Sequence, residues 1–209
     1  MELGTTDAIR KHYARRVVPP PPVSQRRLQF ENCRPRWLRE CLAEATGVFF
    51  YVFPGIASVA ATTINGFDSA YGSLYQVGMA FGVGIVCAVI TCAPISGGHF
   101  NPAITISFAV WQGFPWRKVP RYILSQILGA FMAGLLLVGM YHQQLETLAA
   151  GFREKGESLI SAQGPPGVLC SFPAPTQSLG YLFLIEWFVN MYLVSVRALQ
   201  TKKEEKMMC

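Results

Sequence analysis

Four apolar runs, each about as long as a bilayer core is thick, divide this 209-residue chain, and a fifth of about half that length sits between the second and the third. The long runs cover residues 38–61, 74–93, 119–141 and 179–196, the last being the shortest. Roughly 20 apolar residues in a helix cross the hydrocarbon, and lipid offers no partner for an open backbone, so the runs must be helices. Only 14% of the residues are charged, against about a quarter in a soluble domain. The six cysteines include no CxxC pair and three of them fall inside the runs, which argues against a disulfide scaffold and a zinc site.

Charge placement gives an orientation. Residues 1–36 carry Arg10, Lys11, Arg15, Arg16, Arg26, Arg27, Arg34 and Arg36 around a run of four prolines from Pro19 to Pro22. Such a run favours polyproline II and forbids a continuous helix. The expectation is a disordered basic cytoplasmic arm, with no short apolar signal segment ahead of it. The net charge of +6 comes mostly from this arm beside a span, which fits a juxtamembrane role and not a nucleic-acid partner. The connection 62–73 has one acid and no base, Arg117, Lys118 and Arg121 precede the third run, and Lys202, Lys203 and Lys206 follow the fourth. Both termini are therefore expected in the cytoplasm, with the loop 142–178 outside.

That bookkeeping makes the short apolar segment unusual. Residues 94–113 must begin and end on one side, so SGGHFNPAITISFAV (96–110) can only dip in and return. Asn101 is a good N-cap and Pro102 suits the first helical position. The half-helix then points its partly positive end at the membrane midplane, which repels cations and admits a neutral solute. Residues 96–100 are expected as extended backbone lining a path, since irregular backbone at that depth must be buried or wet. The Asn101 amide would donate to a passing oxygen, and the carbonyls of Gly97, Gly98, His99 and Phe100 would form an acceptor ladder. The pairs Gly78/Gly82 and Gly129/Ala133 suggest close helix contacts.

The segment around Asn101-Pro102-Ala103 resembles the first signature loop of the aquaporin and glycerol-facilitator family, the major intrinsic proteins. Ala43-Glu44-Ala45-Thr46-Gly47 resembles that family's first-helix pattern, and residues 122–130 its third helix. Residues 53–58, 65–68 and 164–167 are similar to members from filamentous fungi. The resemblance implies that Asn101, Pro102 and Ala103 are the first NPA box, His99 the loop histidine and Phe81 a constriction residue of the water-selective type. It also implies that Glu44, Gln126 and Glu186 brace the re-entrant loops; an acid in a span is costly without such a partner. The implied fold is all-α and membrane-embedded: an aquaporin-like first repeat of three spans plus the half-helix, a fourth span, and an incomplete second repeat. In domain terms this gives the arm at 1–36, the transmembrane domain at 37–196 and a charged cytoplasmic tail at 197–209.

Family members have two inverted halves. Residues 185–194 echo residues 43–52 weakly, after which the sequence turns charged, with no second NPA box and no filter arginine. The expectation is a channel polypeptide for water or small neutral solutes such as glycerol, truncated in its second repeat and non-conducting alone. The alternative is a non-conducting interaction protein that associates with a full-length aquaporin. A homo- or hetero-oligomer, a tetramer by resemblance, would sit in the bilayer. No cofactor, metal or nucleic acid is expected. An enzyme finds no support, since His12, His99 and His142 are far apart in sequence and no nucleophile elbow or phosphate loop appears.

Overall fold

A computed structural model describes residue 24 and residues 35–66, 72–174 and 176–208, with 196–208 as backbone. The expected arm lies almost entirely outside the described residues. The remainder forms one compact unit, from Arg36 onward. Its six helices are α1 (Arg36–Ile64), α2 (Leu74–Ser96), α3 (Pro102–Trp111), α4 (Val119–Met140), α5 (His142–Glu154) and α6 (Leu179–Met208). Among the described residues, three stretches are long and apolar enough to cross a membrane: Arg36–Ile64, Leu74–Ser96 and Trp116–Met140. The apolar part of α6, Leu179–Ser195, is shorter, and its helix continues through residues 197–208, where a separate tail was expected. Lys, Glu and Met favour that continuation.

Helix α1 is the hub, packing against both α2 and α4. Small residues let the backbones close. A Cβ on Gly84 of α2 would lie 2.6 Å from Tyr51 Cα, and one on Gly129 of α4 would collide with the Ala45 carbonyl of α1. The Gly129/Ala133 contact predicted from sequence is therefore made, with Ala133 fully buried. The Gly78/Gly82 contact is not, because both glycines face open space. Gly84, two residues beyond Gly82, takes the crossing. Two core clusters result. Ala43, Val48, Ala88, Cys92 and Phe100 surround the re-entrant segment, while Ile56, Ala60, Ala133, Leu137 and Val168 fill the other end.

The segment 142–178 is not the open loop that its charge suggests. Residues 142–154 form α5, which packs Leu145 and Ala149 inward, and a 3₁₀ turn at Pro165–Val168 inserts the buried Val168 into the second core. Apolar residues spaced four apart on a polar helix explain the difference.

Candidate functional site

The half-helix α3 starts as its sequence demands. Asn101 is extended (φ −150°, ψ 131°), its Oδ1 accepts from Ala103 N at 2.8 Å, and Pro102 follows at the first position. Using Oδ1 for the cap leaves the amide Nδ2 as the donor that can face a solute. One face of α3 is buried through Thr105, Phe108 and Ala109, and the opposite face exposes Pro102, Ala103, Ile106 and Val110.

The residues ahead of it are not extended. Gly97 closes α2 in the left-handed region (φ 91°), donating its N–H to Ala93 O at 2.8 Å. Gly98 (φ 66°) and Phe100 (φ 52°) are left-handed too. A non-glycine residue there costs on the order of 1–2 kcal/mol, so Phe100 must be held. Its N–H donates to Glu44 Oε2 at 2.7 Å, its carbonyl accepts from Tyr51 OH at 3.2 Å, and its ring sits on Gly47 of α1. The Phe100 carbonyl thus already takes one hydrogen bond, from Tyr51, and keeps a second lone pair for another donor.

Glu44 is the centre of the brace. It is fully buried, and its Oε1 accepts from His99 N at 3.0 Å. Gln126 Nε2 donates to Glu44 Oε2 at 2.7 Å and to Thr105 Oγ1 at 3.0 Å. The Thr105 hydroxyl donates to Asn101 O at 3.0 Å. With that proton spent, His99 Nδ1, 3.2 Å from Thr105 Oγ1, fits as a donor. One carboxylate thus fixes two successive N–H groups of the re-entrant turn and ties α1, α3 and α4 together. Charge-assisted bonds of this kind are the stronger class. The His99 ring is wedged among Phe108, Phe114 and Tyr122, with centroids 4.8, 4.6 and 5.0 Å away. Tyr122 OH donates to Ser96 O at 2.8 Å, fixing the end of α2.

At the start of α1, the buried Glu40 receives Lys118 Nζ at 2.8 and 2.9 Å and Arg36 Nε at 3.1 Å. Lys118 stands in the 3₁₀ turn between α3 and α4, so this pair anchors the segment by which the half-helix leaves.

Asn101 opens into a groove of about 590 Å³ whose other walls include Tyr51, Ile85, Val89 and, from α6, Leu193. A neighbouring groove of about 750 Å³ separates Ala103, Ser107 and Trp111 of α3 from Glu186, Asn190 and other α6 residues. The wall that α3 presents to these grooves is fixed; α6 supplies the facing side of the second groove, and in the first Leu193 of α6 stands with side chains of α1 and α2.

The structure therefore brings together Gly98, Phe100 and Asn101 on the first groove, Ala103 on the second, and His99, Glu44 and Gln126 behind them. Phe81 does not line the groove at Asn101. Its ring covers Gly55 of α1 and packs on the second core. Glu186 does not bond to the re-entrant segment either; its Oε2 is 3.5 Å from Asn190 Nδ2, and it is exposed. Tyr51, Thr105, Tyr122 and Glu40 are functional neighbours that sequence reading missed. The signal was present: Glu40 and Tyr122 stand four residues before Glu44 and Gln126, which places polar pairs on facing stripes of two apolar helices.

The chain resembles several known proteins in sequence. A family model described as Major intrinsic protein matches residues 31–208. Aquaporin-3 of Laccaria bicolor is 40% identical over 168 residues, which are 77% of this chain and 50% of that protein. Aquaglyceroporin-2 of Rhizophagus irregularis is 33% identical over 158 residues, 76% of this chain and 48% of that one. A glycerol uptake facilitator protein of Pseudomonas aeruginosa is 33% identical over 165 residues, 78% and 57% of the two chains. An X-ray structure of the aquaglyceroporin from Plasmodium falciparum aligns at TM-score 0.45 and 27% identity over 58% of this chain and 46% of that one. The chain spans about half the length of the curated relatives it matches.

Proposed function

The chain belongs to the major intrinsic protein family, and from that premise we propose that it supplies one half of a membrane pore for water or a small neutral solute such as glycerol. The observation that carries the reading is the half-helix held by Glu44, Gln126 and Thr105 with its Asn101-capped end at a groove. Asn101 Nδ2 donates to the solute oxygen, and the positive helix end keeps cations out. Phe81, Gly97, Gly98, His99, Phe100, Pro102 and Ala103 shape the path or its mouth, and Glu186 braces whatever faces the half-helix from the other side. The path carries no catalysis.

Residues 1–209 by themselves do not conduct, because among the described residues α6 is what stands opposite the exposed face of α3. Two copies inserted by the same charge rule enter from the same side, so their half-helices cannot meet tip to tip. The termini are cytoplasmic; a cysteine placed at Ser158 in a cysteine-free version reacts with an impermeant reagent from outside, and reaction from the inside alone refutes that orientation. Oligomers form through the exposed apolar faces.

A chimera tests the pore reading. Residues 1–188 are joined to the remaining length of the Laccaria bicolor relative, and water and glycerol flux are read in vesicles. Flux is expected, with a drop of about tenfold in Asn101→Asp. That change keeps a good cap but replaces the donor by an acceptor, worth about one hydrogen bond. A chimera that conducts equally well with Asp at position 101 would show that α3 does not line the path.

A second reading, association with a full-length relative, is favoured by α6, of which no residue from 179 to 195 is buried. Capture of a tagged full-length relative by residues 1–209, lost on deleting 179–209, supports it.

A further inference from the structure

The starts of α1 and α4 lie side by side, although 80 residues separate them. Cys41 Sγ approaches Arg121 O at 4.0 Å, and Glu40 binds Lys118 across the same junction. Among the described residues this corner carries Arg36, Arg39, Arg117, Lys118 and Arg121 against one acid, Glu40. Glu40 is buried and occupied by Lys118 and Arg36, so the described surface offers an approaching anion a net excess of cations. Arg39, Arg117 and Arg121 are exposed, and Trp37 and Trp116 stand 49% and 60% exposed beside them. The segment after α4 is the reverse, with Arg153 and Lys155 against Glu146, Glu154 and Glu157.

We propose that this corner is a docking site for the headgroup of an anionic phospholipid, with Arg117 and Arg121 holding the phosphate. Both helices are membrane spans, so their starts emerge at headgroup depth, where tryptophan settles. Guanidinium groups match phosphate in geometry as well as charge, and Arg117 and Arg121 stand four residues apart on the turn that opens α4. The fixed Glu40–Lys118 pair holds the two helix starts together, so the site is prepared before lipid arrives.

The test uses the whole chain in phosphatidylcholine vesicles, with Trp37, Trp111 and Trp187 changed to Phe so that Trp116 reports alone. Brominated phosphatidylglycerol is expected to quench Trp116 at lower mole fraction than brominated phosphatidylcholine. That preference should fall roughly fivefold for each of Arg117→Gln and Arg121→Gln and survive in the Arg117→Lys/Arg121→Lys double variant to a large part. Arg153→Gln/Lys155→Gln should leave it intact. An unchanged preference in both single Gln variants overturns the proposal. So does an equal loss in the Arg153/Lys155 variant, or millimolar inorganic phosphate abolishing the effect, which would indicate a free-anion site. Each variant is checked for native helix content, and the two single substitutions stand independently if one fails to fold.

Discussion

Two glutamates stand in similar settings in this chain. Glu44 follows Ala43 in α1, Glu186 follows Ile185 in α6, and both sit amid apolar residues. Glu44 is fully buried and takes three N–H donors, from His99, Phe100 and Gln126. Glu186 is exposed, and its carboxylate lies 3.5 Å from Asn190 Nδ2 of its own helix. The surroundings differ in the same sense. Helix α1 is enclosed by α2, α4 and the re-entrant turn, whereas the principal neighbour of α6 is α3. A carboxylate in an apolar helix becomes a brace only where a neighbouring turn presents donors to it; sequence context alone does not make one.

Removing each carboxylate separates the two regions most sharply. Glu44→Ala strands three buried donors at about 1–3 kcal/mol each, so a loss of at least about 3 kcal/mol is expected, enough to abolish the folded monomer. Glu186→Ala should stay within about 0.5 kcal/mol. Thermal unfolding in detergent, read by circular dichroism, decides; comparable losses at the two positions would erase the contrast.

The ion pair that anchors the exit of the half-helix comes next. Lys118→Met leaves Glu40 buried with Arg36 alone. Breaking a buried pair costs about 3–5 kcal/mol; with the Lys118 side chain 32% exposed, about 2 kcal/mol is expected. The Glu40→Leu/Lys118→Met double variant should recover most of it. A double variant worse than the single one would mean the pair is not a unit.

Glycines give effects of opposite sign. Gly129→Ala drives a methyl into the Ala45 carbonyl and should cost about 1–3 kcal/mol. Gly180→Ala faces open space in α6 and should stabilise by up to about 1 kcal/mol. Midpoints shifting in the same direction would show that Gly180 is packed against a neighbour.

The smallest contrast concerns two asparagines. Asn101→Ala removes a helix cap and should cost about 1 kcal/mol. Asn190, whose Nδ2 donates to Glu186 O at 2.8 Å within its own helix, should cost under about 0.5 kcal/mol when changed to Ala.

Much of the enclosed region was legible in sequence because it rests on local rules. Asn101-Pro102 dictates a helix start, Glu44 and Gln126 are polar residues that an apolar span cannot leave unpaired, and Gly129 marks a helix crossing. Three things were not legible. The left-handed run Gly97, Gly98, Phe100 depends on Glu44 reaching across 55 residues to His99. The docking of α5 depends on Leu145 reaching a core that Ile56, Ala60 and Leu137 build from distant helices; the spacing of its apolar residues announces the helix but not that partner. Phe81 packs over Gly55 because that glycine opens a place for its ring, which spacing from Asn101 does not reveal. Local chemistry fixes where helices start and stop, while partners distant in sequence fix how irregular backbone is held.

Under the proposed function, residues 1–209 supply one wall of a path and do not conduct by themselves. Stopped-flow light scattering on vesicles containing the purified chain measures this directly. Water permeability is expected at the lipid background, unchanged by Asn101→Asp. A protein-dependent rise that Asn101→Asp removes would contradict the account, because it would show that one half-helix closes a conducting path on its own.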